Sequence, residues 1–504
     1  MSLNPDVAEF AAIYERGETQ VVTTTLIADL ETPVSAFLKI AGERANSFLL
    51  ESVEGGATRG RYSMIGIDPD VIWRCKDGSA EINRRAATDT QTFEPCDEPP
   101  LASLRSLVHE SRIALPAGSP PMAAGVFGYL GYDMVRQMER LPAAKPDLFG
   151  VPDAVFIRPT IMVVFDAVHD EITVVTPVRP QADISASAAY EAARTRIDRV
   201  VAALDSALPN MPTEDVFHHP VEPTSNTTPE AYREMVARAK EYIGAGDIFQ
   251  VVLSQRFDAP FTLPPFSLYR ALRRINPAPF LVYFNFGGFS LVCSSPEILV
   301  RLRDDTVTIR PIAGTRRRGA SPHEDKALEE ELLADPKERA EHLMLLDLGR
   351  NDVGRVAQIG SVKVTDSFFV ERYSQVMHIV SNVEGSIDNR FDALDALAAG
   401  FPAGTVSGAP KVRAMEIIDE LEHDKRGIYA GAIGYFGADG EMDTCIVLRT
   451  AVVKDGKMHV QAGAGIVYDS VPENELQECV NKAKALFRAG EEAVKFAARA
   501  GRGQ

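Results

Sequence analysis

Two pairs of glutamates in the second half of the chain have the type and spacing of metal ligands. Glu338 and Glu341 stand three residues apart in one predicted helix, and Glu475 and Glu478 stand three apart in another. Residues at this spacing lie on one helix face, so each helix presents two carboxylates together. Oxygen ligands suit a hard cation, and Mg²⁺ commonly binds through one or two carboxylates while it keeps waters that a substrate can replace.

The same glutamates also have a purely structural explanation, which their spacing alone favours. In the segment 335–338, an aspartate at the N-cap, a proline at the first position and a glutamate at the third predict a helix start. Glu478 and Lys482 stand four apart and can form a stabilising pair on one helix. Exposed glutamates at helical spacing are common, so the metal hypothesis needs support from other residues.

Several groups after residue 229 could bind an anion or move a proton. Residues 445–453 predict a strand in which an inward Arg449 would need a carboxylate or phosphate partner. His378 is either a core histidine or a proton-transfer group, and for a single histidine the first is more common. Glycine-rich turns, whose N–H groups can approach an anion closely, occur at Gly314-Thr315, at Gly404-Thr405 and at residues 463–465. Together these residues indicate an enzyme with an anion site and a hard metal, without specifying the reaction.

The elements that must position these groups indicate an α+β protein with mainly antiparallel sheets. Strands are predicted at residues 21–27, 160–165 and 248–257, and helices at residues 184–204 and 229–242. Gly287-Gly288 separates two apolar runs and predicts a two-residue hairpin turn. Strands joined by hairpins, with helices between them, are typical of antiparallel sheets rather than of a doubly wound parallel sheet.

Composition and charge describe an acidic globular protein. The 504 residues include 53 Lys+Arg and 71 Asp+Glu, so the net charge of −18 argues against a nucleic-acid partner, and we interpret the basic run 316–318 as solvated surface. The five cysteines are dispersed without a Cys-x-x-Cys spacing, so neither a disulfide framework nor a zinc site is predicted. No signal peptide and no apolar run of ~20 residues is recognisable, so we expect a cytoplasmic protein without a membrane partner.

Residues 208–229 form the clearest division in the chain, because prolines recur there and no apolar period persists. We interpret them as an exposed linker between a first region, residues 1–207, and a second region, residues 230–504. The glutamate pairs, Arg449, His378 and the glycine-rich turns all lie in the second region.

Taken in order, eight segments of the second region resemble one known family. They are FQVVLSQRF at 249–257, SSPE at 294–297, PIAGTRRRG at 311–319, DPKERAEHLMLLDLGRNDVGRV at 335–356, HIVSNVEG at 378–385, GTVSGAPK at 404–411, GAGIVYDS at 463–470 and ENELQECVNKAKA at 473–485. This combination resembles the chorismate-utilising enzymes, most closely their anthranilate synthase large subunits. The resemblance implies an α+β fold in which antiparallel sheets pack as a sandwich with helices outside. It also favours functional roles for the glutamate pairs, His378 and the glycine-rich turns over the purely structural explanations given above.

The resemblance implies a magnesium site and a substrate site. Glu341 and Glu478 would coordinate Mg²⁺, Glu338 and Glu475 would shape its surroundings, and the metal would hold the ring carboxylate of chorismate. Residues with cationic or hydrogen-bonding groups would hold the substrate's carboxylates: Gly314, Thr315, Tyr429, Arg449, Gly463, Ala464, Gly465 and Lys482. Chorismate is a dianion, so an acidic protein needs local cations and oriented N–H groups to bind it.

The catalytic residues that the resemblance implies are Glu297, His378 and Thr405. Glu297 would protonate the departing C4 hydroxyl, which is otherwise a poor leaving group. Ammonia would add at C2 to give aminodeoxyisochorismate. His378 would then assist the elimination of pyruvate that yields anthranilate, in the first step of tryptophan biosynthesis.

Two positions distinguish the branches of the family. Isochorismate and salicylate synthases carry lysine where Gln250 stands, and a lysine amine can activate water as a base, whereas an amide cannot. Aminodeoxychorismate synthases typically carry a nucleophilic lysine where Ala313 stands. Free ammonia is therefore the expected nucleophile, which favours anthranilate synthase. The alternatives are an aminodeoxyisochorismate or aminodeoxychorismate synthase and a non-catalytic tryptophan-sensing paralogue.

The resemblance also implies a partner and an inhibitor. None of the five cysteines has the surroundings of a glutaminase nucleophile, so we expect ammonia from a glutamine amidotransferase small subunit on a separate chain, in a heterotetramer of two large and two small subunits. Tryptophan is the expected feedback inhibitor, with a regulatory first region and a chorismate-binding second region. The implied tryptophan contacts are Glu51, Ser52, Pro279, Phe280 and Leu281.

Overall fold

The computed structural model describes residues 2–54, 58–120, 122–142, 145–147, 149–209, 223–373 and 376–497. Most of the predicted linker, residues 210–222, lies outside these ranges, so its exposure stays a prediction. Immediately after it, Thr224–Ser225 pairs as a short strand, and the helix predicted from residue 229 begins at Pro229.

Eleven α-helices lie in the described ranges, and most of them begin after a residue whose side chain caps the first turn. They are α1 Val7–Glu15, α2 Pro33–Ile40, α3 Pro100–Glu110, α4 Ala186–Leu204, α5 Pro229–Ala245, α6 Pro265–Ile275, α7 Pro322–Ala334, α8 Pro336–Gly354, α9 Ala393–Gly400, α10 Lys411–Leu421 and α11 Pro472–Ala497, with 3₁₀ turns at Tyr132–Gln137 and Gly404–Val406. Asp335 accepts hydrogen bonds from the N–H groups of Lys337 and Glu338, so α8 begins where the sequence predicts.

Twenty-two strands lie in the same ranges. They are β1 Gln20–Ile27, β2 Ser47–Glu54, β3 Thr58–Lys76, β4 Ser79–Asn83, β5 Glu94–Pro95, β6 Gly125–Leu130, β7 Ala154–Asp166, β8 Glu171–Val178, β9 Thr224–Ser225, β10 Gln250–Pro260, β11 Phe280–Asn285, β12 Ser290–Ser295, β13 Ile298–Arg303, β14 Thr306–Ile309, β15 Ile312–Arg317, β16 Lys363–Arg372, β17 Val376–Ser386, β18 Gly408–Ala409, β19 Ala432–Gly437, β20 Met442–Ile446, β21 Thr450–Lys454 and β22 Lys457–Ile466. Every named strand pairing is antiparallel, so the α+β class with antiparallel sheets is confirmed.

Strands of the first region pair directly with strands of the second. β2 pairs with β11, with Glu51 opposite Leu281, and β6 pairs with β19. Apolar contacts follow the same pattern: the Phe48 ring of β2 lies 5.1 Å from the Phe284 ring of β11, measured between centroids. The two regions therefore contribute to shared sheet and shared core.

The hairpin predicted at Gly287-Gly288 is confirmed. The N–H of Phe286 donates to the carbonyl of Phe289 at 3.0 Å, which closes a two-residue turn between β11 and β12. Gly287 has a φ of +83°, a conformation that glycine adopts without the steric cost of a side chain.

The single strand predicted at residues 445–453 is wrong. β20 ends at Ile446 and β21 begins at Thr450, and Arg449 lies in the connection with a φ of +47°. β20 pairs with β13 and β19, whereas β21 pairs with β12 and β22. The chain changes its neighbours here, so it must turn at Arg449 rather than continue as one strand.

The helices of the described ranges are too short or too polar to cross a membrane.

Candidate active site

Glu297 lies in the short connection between β12 and β13, and it is only 7% exposed. The Thr405 hydroxyl, in the 3₁₀ turn Gly404–Val406, lies 3.3 Å from each of its carboxyl oxygens. Burial raises the pKa of Glu297 to about 8, although the Thr405 hydroxyl, the Ile312 N–H and the Arg449 charge all act to lower it. The group is therefore mostly protonated at neutral pH, as a general acid must be.

His378 lies on β17 opposite Thr315 of β15. Its Nδ1 is 3.1 Å from the carbonyl oxygen of Gly314 and 3.0 Å from the Thr315 hydroxyl. Because a carbonyl oxygen only accepts, Nδ1 carries the proton and Nε2 keeps its lone pair. Burial, with a further contribution from Arg449, lowers the pKa of His378 to about 4. The neutral imidazole can therefore accept a proton at Nε2.

Gly314 sets this geometry through its backbone. The β15–β17 register shifts between Ala313 and Thr315, and Gly314 has a φ of +72°. A bulge with a left-handed glycine re-aims the local backbone, and here the Gly314 carbonyl meets the His378 ring. A side chain at Gly314 would also crowd the Glu338 carboxylate, 3.1 Å from the position of a Cβ atom.

Arg449 is half-buried and forms no ion pair with any described residue. Burial lowers the pKa of its guanidinium, and the charges that act in the opposite direction come from Tyr373 and Glu297. Neither compensates it at neutral pH, because both groups are then mostly in their neutral forms. A guanidinium that loses water without gaining an anion is unfavourable, so this position fits a carboxylate ligand.

Two glycines of β22 leave their space to polar side chains. A Cβ atom at Gly465 would lie 2.5 Å from the Gln250 amide nitrogen, and one at Gly463 would lie 2.8 Å from the Tyr429 hydroxyl. Ala464, between them, packs into the apolar core. At these three positions a ligand could therefore reach only the β22 backbone, along the edge that does not pair with β10.

The glutamates of α8 and α11 act on one another electrostatically. Burial raises the pKa of Glu341, and the charges of Glu338 and Glu478 raise it further. Burial also raises the pKa of Glu475, with an added contribution from Glu478. Glu478 itself pairs with Lys482, whose Nζ lies 2.7 Å from one of its carboxylate oxygens. The two helices thus bring four carboxylates into one area, where a bound cation would relieve their repulsion.

This donor set fits a magnesium ion held by two carboxylates. No group of three or more His, Cys, Asp or Glu side chains converges on one point within the described ranges. Mg²⁺ does not require such a cage, because one or two carboxylates with waters and substrate oxygens commonly hold it. Glu341 uses Oε1 for the Gln250 amide at 3.1 Å, and Glu478 uses Oε1 for Lys482. The second oxygen of each carboxylate makes no contact with a described polar side chain.

Gln250, which separates the family branches by sequence, has contacts that the sequence did not reveal. Its Nε2 donates to Glu341, and its Oε1 is buried without a hydrogen-bond partner in the described part of the chain. A buried acceptor without a donor is costly, so a ligand, water or nucleophile that carries N–H or O–H fits at this atom.

Sequence reasoning also missed Tyr373 and misinterpreted Arg316. The Tyr373 ring lies edge-on to His378 with 5.5 Å between ring centroids. Arg316 is not solvated surface, because it contacts the carboxylates of Glu338 at 3.1 Å and Asp335 at 2.8 Å. The signal for Arg316 was present in the sequence, since acidic residues recur in the two helices that follow it.

The predicted tryptophan contacts also lie together, on β2 and β11. Ser52 is opposite Phe280 and Glu51 is opposite Leu281, and Pro279 precedes the strand. The Glu51 carboxylate accepts hydrogen bonds from Tyr269 at 2.5 Å and from Arg273 at 2.6 and 2.9 Å. These two α6 residues were not predicted from the sequence.

The predicted substrate and catalytic residues of the second region form one group. The Arg449 charge acts on both Glu297 and His378, and the Lys482 charge also acts on His378. Lys482 Nζ donates to the Gly463 carbonyl at 2.9 Å. Glu51, Tyr269 and Arg273, with Ser52 beside them, form the Glu51 cluster. The described hydrogen bonds and ion pairs do not connect this cluster to the group around Arg449, so there are two candidate sites.

Comparisons with known proteins give a consistent result. The family described as chorismate binding enzyme matches residues 50–488. Anthranilate synthase component 1 of Cereibacter sphaeroides is 59% identical over 490 residues, with 97% of this chain and 98% of that protein covered. The Pseudomonas putida component is 48% identical over 469 residues, which covers 92% and 93%. The crystal structure of anthranilate synthase component I from Streptococcus pneumoniae superposes with a TM-score of 0.75 at 38% identity, and covers 92% of this chain and 99% of that one.

Proposed function

The chain belongs to the family of chorismate binding enzymes, and from this membership we propose that it is the large subunit of an anthranilate synthase, converting chorismate and ammonia to anthranilate and pyruvate. One observation carries the proposal: a protonated acid, Glu297, and a neutral base, His378, both lie within the field of the unpaired cation Arg449. An acid, a base and an anion site are the groups that this substitution and elimination require.

Substrate binding would use the unpaired cation and the open backbone of β22. Arg449 would pair with one carboxylate of chorismate, because a carboxylate satisfies the guanidinium donors that the protein leaves free. Tyr429 and the N–H groups of Gly463 and Gly465 would contribute hydrogen bonds, with Gly314, Thr315 and Lys482 at the edges of the site. An anchored dianion places its ring between Glu297 and His378 for the two chemical steps.

The first step is an amination with loss of water. The ammonia nitrogen forms a bond to C2, the ring double bonds shift, and the C4–O bond breaks. Glu297 gives its proton to the departing oxygen, which leaves as water, and the new ammonium group then loses a proton. Thr405 would hold the Glu297 carboxyl in place, since its hydroxyl is in contact with both carboxyl oxygens.

The second step is an elimination that makes the ring aromatic. His378 Nε2 accepts the proton from C2 while the C3–O bond breaks. The departing enolpyruvate takes a proton at its methylene carbon and becomes pyruvate. The Nδ1–H hydrogen bond to Gly314 fixes the tautomer that leaves Nε2 available for this proton.

The proposed cofactor is Mg²⁺, held by Glu341 and Glu478 with Glu338 and Glu475 beside them. When bound, Mg²⁺ neutralises charge on the substrate's ring carboxylate. The residues that would hold it are on the helices α8 and α11, so the relative position of these two helices decides whether the carboxylates can share an ion.

Ammonia is the proposed nucleophile because the chain offers no amine of its own at the two branch positions. Gln250 and Ala313 stand where related enzymes use lysine. The free Oε1 of Gln250 can accept an N–H from ammonia, whereas it cannot deprotonate water. We infer that a separate glutamine amidotransferase subunit supplies the ammonia, as the designation component 1 of the relatives suggests. We extend this to an assembly of two large and two small subunits, and to inhibition by tryptophan at Glu51 and Ser52.

Product analysis of the purified chain with chorismate, Mg²⁺ and ammonium at mildly alkaline pH tests the proposal. Equal amounts of anthranilate and pyruvate are expected. Accumulated aminodeoxyisochorismate would show an enzyme that stops after the first step, and aminodeoxychorismate or isochorismate would show a different member of the family. Absence of any product, in a chain that still binds chorismate, would favour a non-catalytic tryptophan sensor. Glutamine in place of ammonium should give no product unless a glutaminase subunit is added.

A further inference from the structure

We propose that three arginines around Asp70 in the first region bind a phosphate dianion, either free phosphate or the phosphate group of a small metabolite. The arginines are Arg158 on β7, Arg179 directly after β8 and Arg196 on α4, and with Asp70 on β3 they form the Asp70 cluster. The cluster shares no residue with the candidate active site or with the Glu51 cluster, so its occupant is independent of the proposed function.

Asp70 is already satisfied by one of the three arginines. Arg158 is 8% exposed, and its Nε and Nη2 lie 2.7 and 3.0 Å from the two Asp70 oxygens. Arg179 reaches the same carboxylate only with Nη1, at 3.6 Å. The β3–β7 register shifts between Pro69 and Val71, and this bulge places Asp70 beside Arg158.

Arg179 leaves one whole edge of its guanidinium without a partner. Its Nε and Nη2 are both buried and have no hydrogen-bond partner in the described part of the chain, and no other side chain there leaves two buried polar atoms unpaired. Nε and Nη2 are the parallel donors with which arginine binds two oxygens of one anion. Leaving two charged donors desolvated and unpaired is costly, so this edge is shaped for an oxyanion.

The charge around Asp70 is not balanced by the protein. Glu110, the next carboxylate, accepts from both terminal nitrogens of Arg84, at 2.7 and 3.0 Å, and from Nη1 of Arg158 at 3.3 Å. Counting Arg84, four guanidinium groups therefore share two carboxylates, those of Asp70 and Glu110, which leaves two positive charges. Burial and the neighbouring Arg158 lower the pKa of Arg179 to about 10, consistent with a deficit of anions. This local excess occurs in a chain with a net charge of −18.

A phosphate dianion matches both the donors and the charge. A phosphate dianion neutralises both excess positive charges, whereas a ligand with a single carboxylate would leave one guanidinium charge without a counter-charge. Its oxygens can accept from the free edge of Arg179 and from the terminal nitrogens of Arg196, whose Nε is occupied by the Thr176 hydroxyl at 2.8 Å. A ligand between Arg179 and Arg196 would join the end of β8 to α4, and so stabilise the first region against unfolding.

Calorimetric titration of the purified chain with inorganic phosphate, at constant ionic strength, tests the site. The Arg449→Gln variant serves as the reference protein, because it removes the unpaired guanidinium of the candidate active site. In this background we expect one phosphate per chain and a rise in the melting temperature with phosphate. Arg179→Gln should weaken binding about tenfold or more, and Arg196→Gln should weaken it as well.

The matched control is Arg194→Gln on the same helix, because Arg194 is exposed and contacts the exposed Glu191 at 3.7 Å and the Tyr190 ring at 5.8 Å from its centroid, but no residue of the Asp70 cluster. It should leave phosphate binding unchanged. Arg196→Gln keeps the test valid if Arg179→Gln does not fold. A phosphomonoester that binds more tightly than phosphate would identify a metabolite as the ligand, and the reverse would identify the free ion. The proposal is overturned if phosphate neither binds nor raises the melting temperature, if Arg194→Gln weakens binding as much as Arg179→Gln, or if malonate binds as well as phosphate.

Discussion

Burial moves the pKa of Glu297 upward and that of His378 downward, because in both cases it penalises the charged form. The result at neutral pH is an acid that holds its proton and a base that lacks one. Arg449 strengthens the second effect and weakens the first, since its positive charge favours a carboxylate and disfavours an imidazolium. A bound carboxylate on Arg449 would cancel part of that charge, so substrate binding itself should raise the pKa of both groups.

The pH dependence of turnover should report Glu297. The rate at saturating chorismate, divided by the concentration of free ammonia, should fall as pH rises through about 8, because only the protonated carboxyl can protonate the leaving hydroxyl. Thr405→Val should move this limb to higher pH, because the hydroxyl that favours the charged carboxylate is removed. Glu297→Gln should lower the rate of amination by about 100-fold or more.

The same pKa has a consequence for stability. The folded state binds the Glu297 proton more tightly than the unfolded chain, whose pKa is about 4.5. Its contribution to stability is therefore complete below that value and is lost as pH rises through about 8. Urea unfolding should show a smaller decline in stability over this range in Glu297→Gln than in the wild type. The pH–rate prediction has its own contrary outcome. If the rate falls at the same alkaline pH in Thr405→Val as in the wild type, Glu297 is not the group that controls this fall.

His378→Asn should separate the two chemical steps. The amide cannot accept the C2 proton, so elimination should slow by about 100-fold or more while amination continues, and aminodeoxyisochorismate should accumulate. Chromatography of the products measures the ratio of this intermediate to anthranilate. His323→Asn is the matched control, since His323 is an exposed histidine of α7. Equal loss of both products in His378→Asn would show that His378 only supports the structure.

At the scale of the elements, α8 and α11 are the helices on which the metal hypothesis depends. Glu341→Ala and Glu478→Ala should each abolish turnover that depends on Mg²⁺ and leave the fold intact, because each would remove one of the two proposed ligands. Initial rates during a Mg²⁺ titration, after chelation of bound metal, measure the effect. Glu491→Ala, an exposed glutamate further along α11, should behave as the wild type. Full activity in either ligand variant would remove that residue from the metal site.

The β2–β11 pair is the element on which inhibition would depend. Ser52→Ala should raise the tryptophan concentration needed for half inhibition about tenfold, because the hydroxyl can no longer bond the inhibitor. Uninhibited turnover should stay unchanged, since Ser52 has no described contact with the candidate active site. Inhibition curves with and without the substitution test this. Unchanged inhibition would count strongly against a tryptophan site at Ser52.

The sequence predicts elements well where a local signal decides them and poorly where tertiary contacts do. The start of α8 follows from Asp335 and Pro336, and the hairpin follows from Gly287. The turn at Arg449 was missed because residues 445–453 are uniformly strand-forming. The strand is interrupted only because β20 pairs with β13 whereas β21 pairs with β12, which no local pattern shows. The motif resemblance identified the candidate site residues. The surroundings of the Gln250 oxygen and of the arginines in the Asp70 cluster depend on contacts between distant segments. A local sequence pattern therefore cannot predict them.

At the scale of the whole molecule, the two regions should unfold together. The division at residues 208–229 separates proposed roles in the sequence, but β2 pairs with β11 and β6 pairs with β19 across it. The ring pairs Phe48–Phe284 and Phe127–Tyr435 also join the regions, with 5.1 and 5.5 Å between centroids. Separating the regions would expose these strand edges and apolar surfaces to water, which is unfavourable for both.

Urea unfolding followed by far-UV circular dichroism and by near-UV circular dichroism should therefore give one coincident transition. The isolated second region, residues 230–504, should fail to fold, because β11 and β19 would each lose a neighbouring strand contributed by the first region. Proteolytic cleavage between residues 208 and 229 is a milder test that keeps both parts present. The cleaved protein should retain activity and remain one particle on gel filtration, since the contacts between the strands do not pass through the cut. Two separate unfolding transitions, or an active second region on its own, would show that the regulatory and chorismate-binding parts are independent domains.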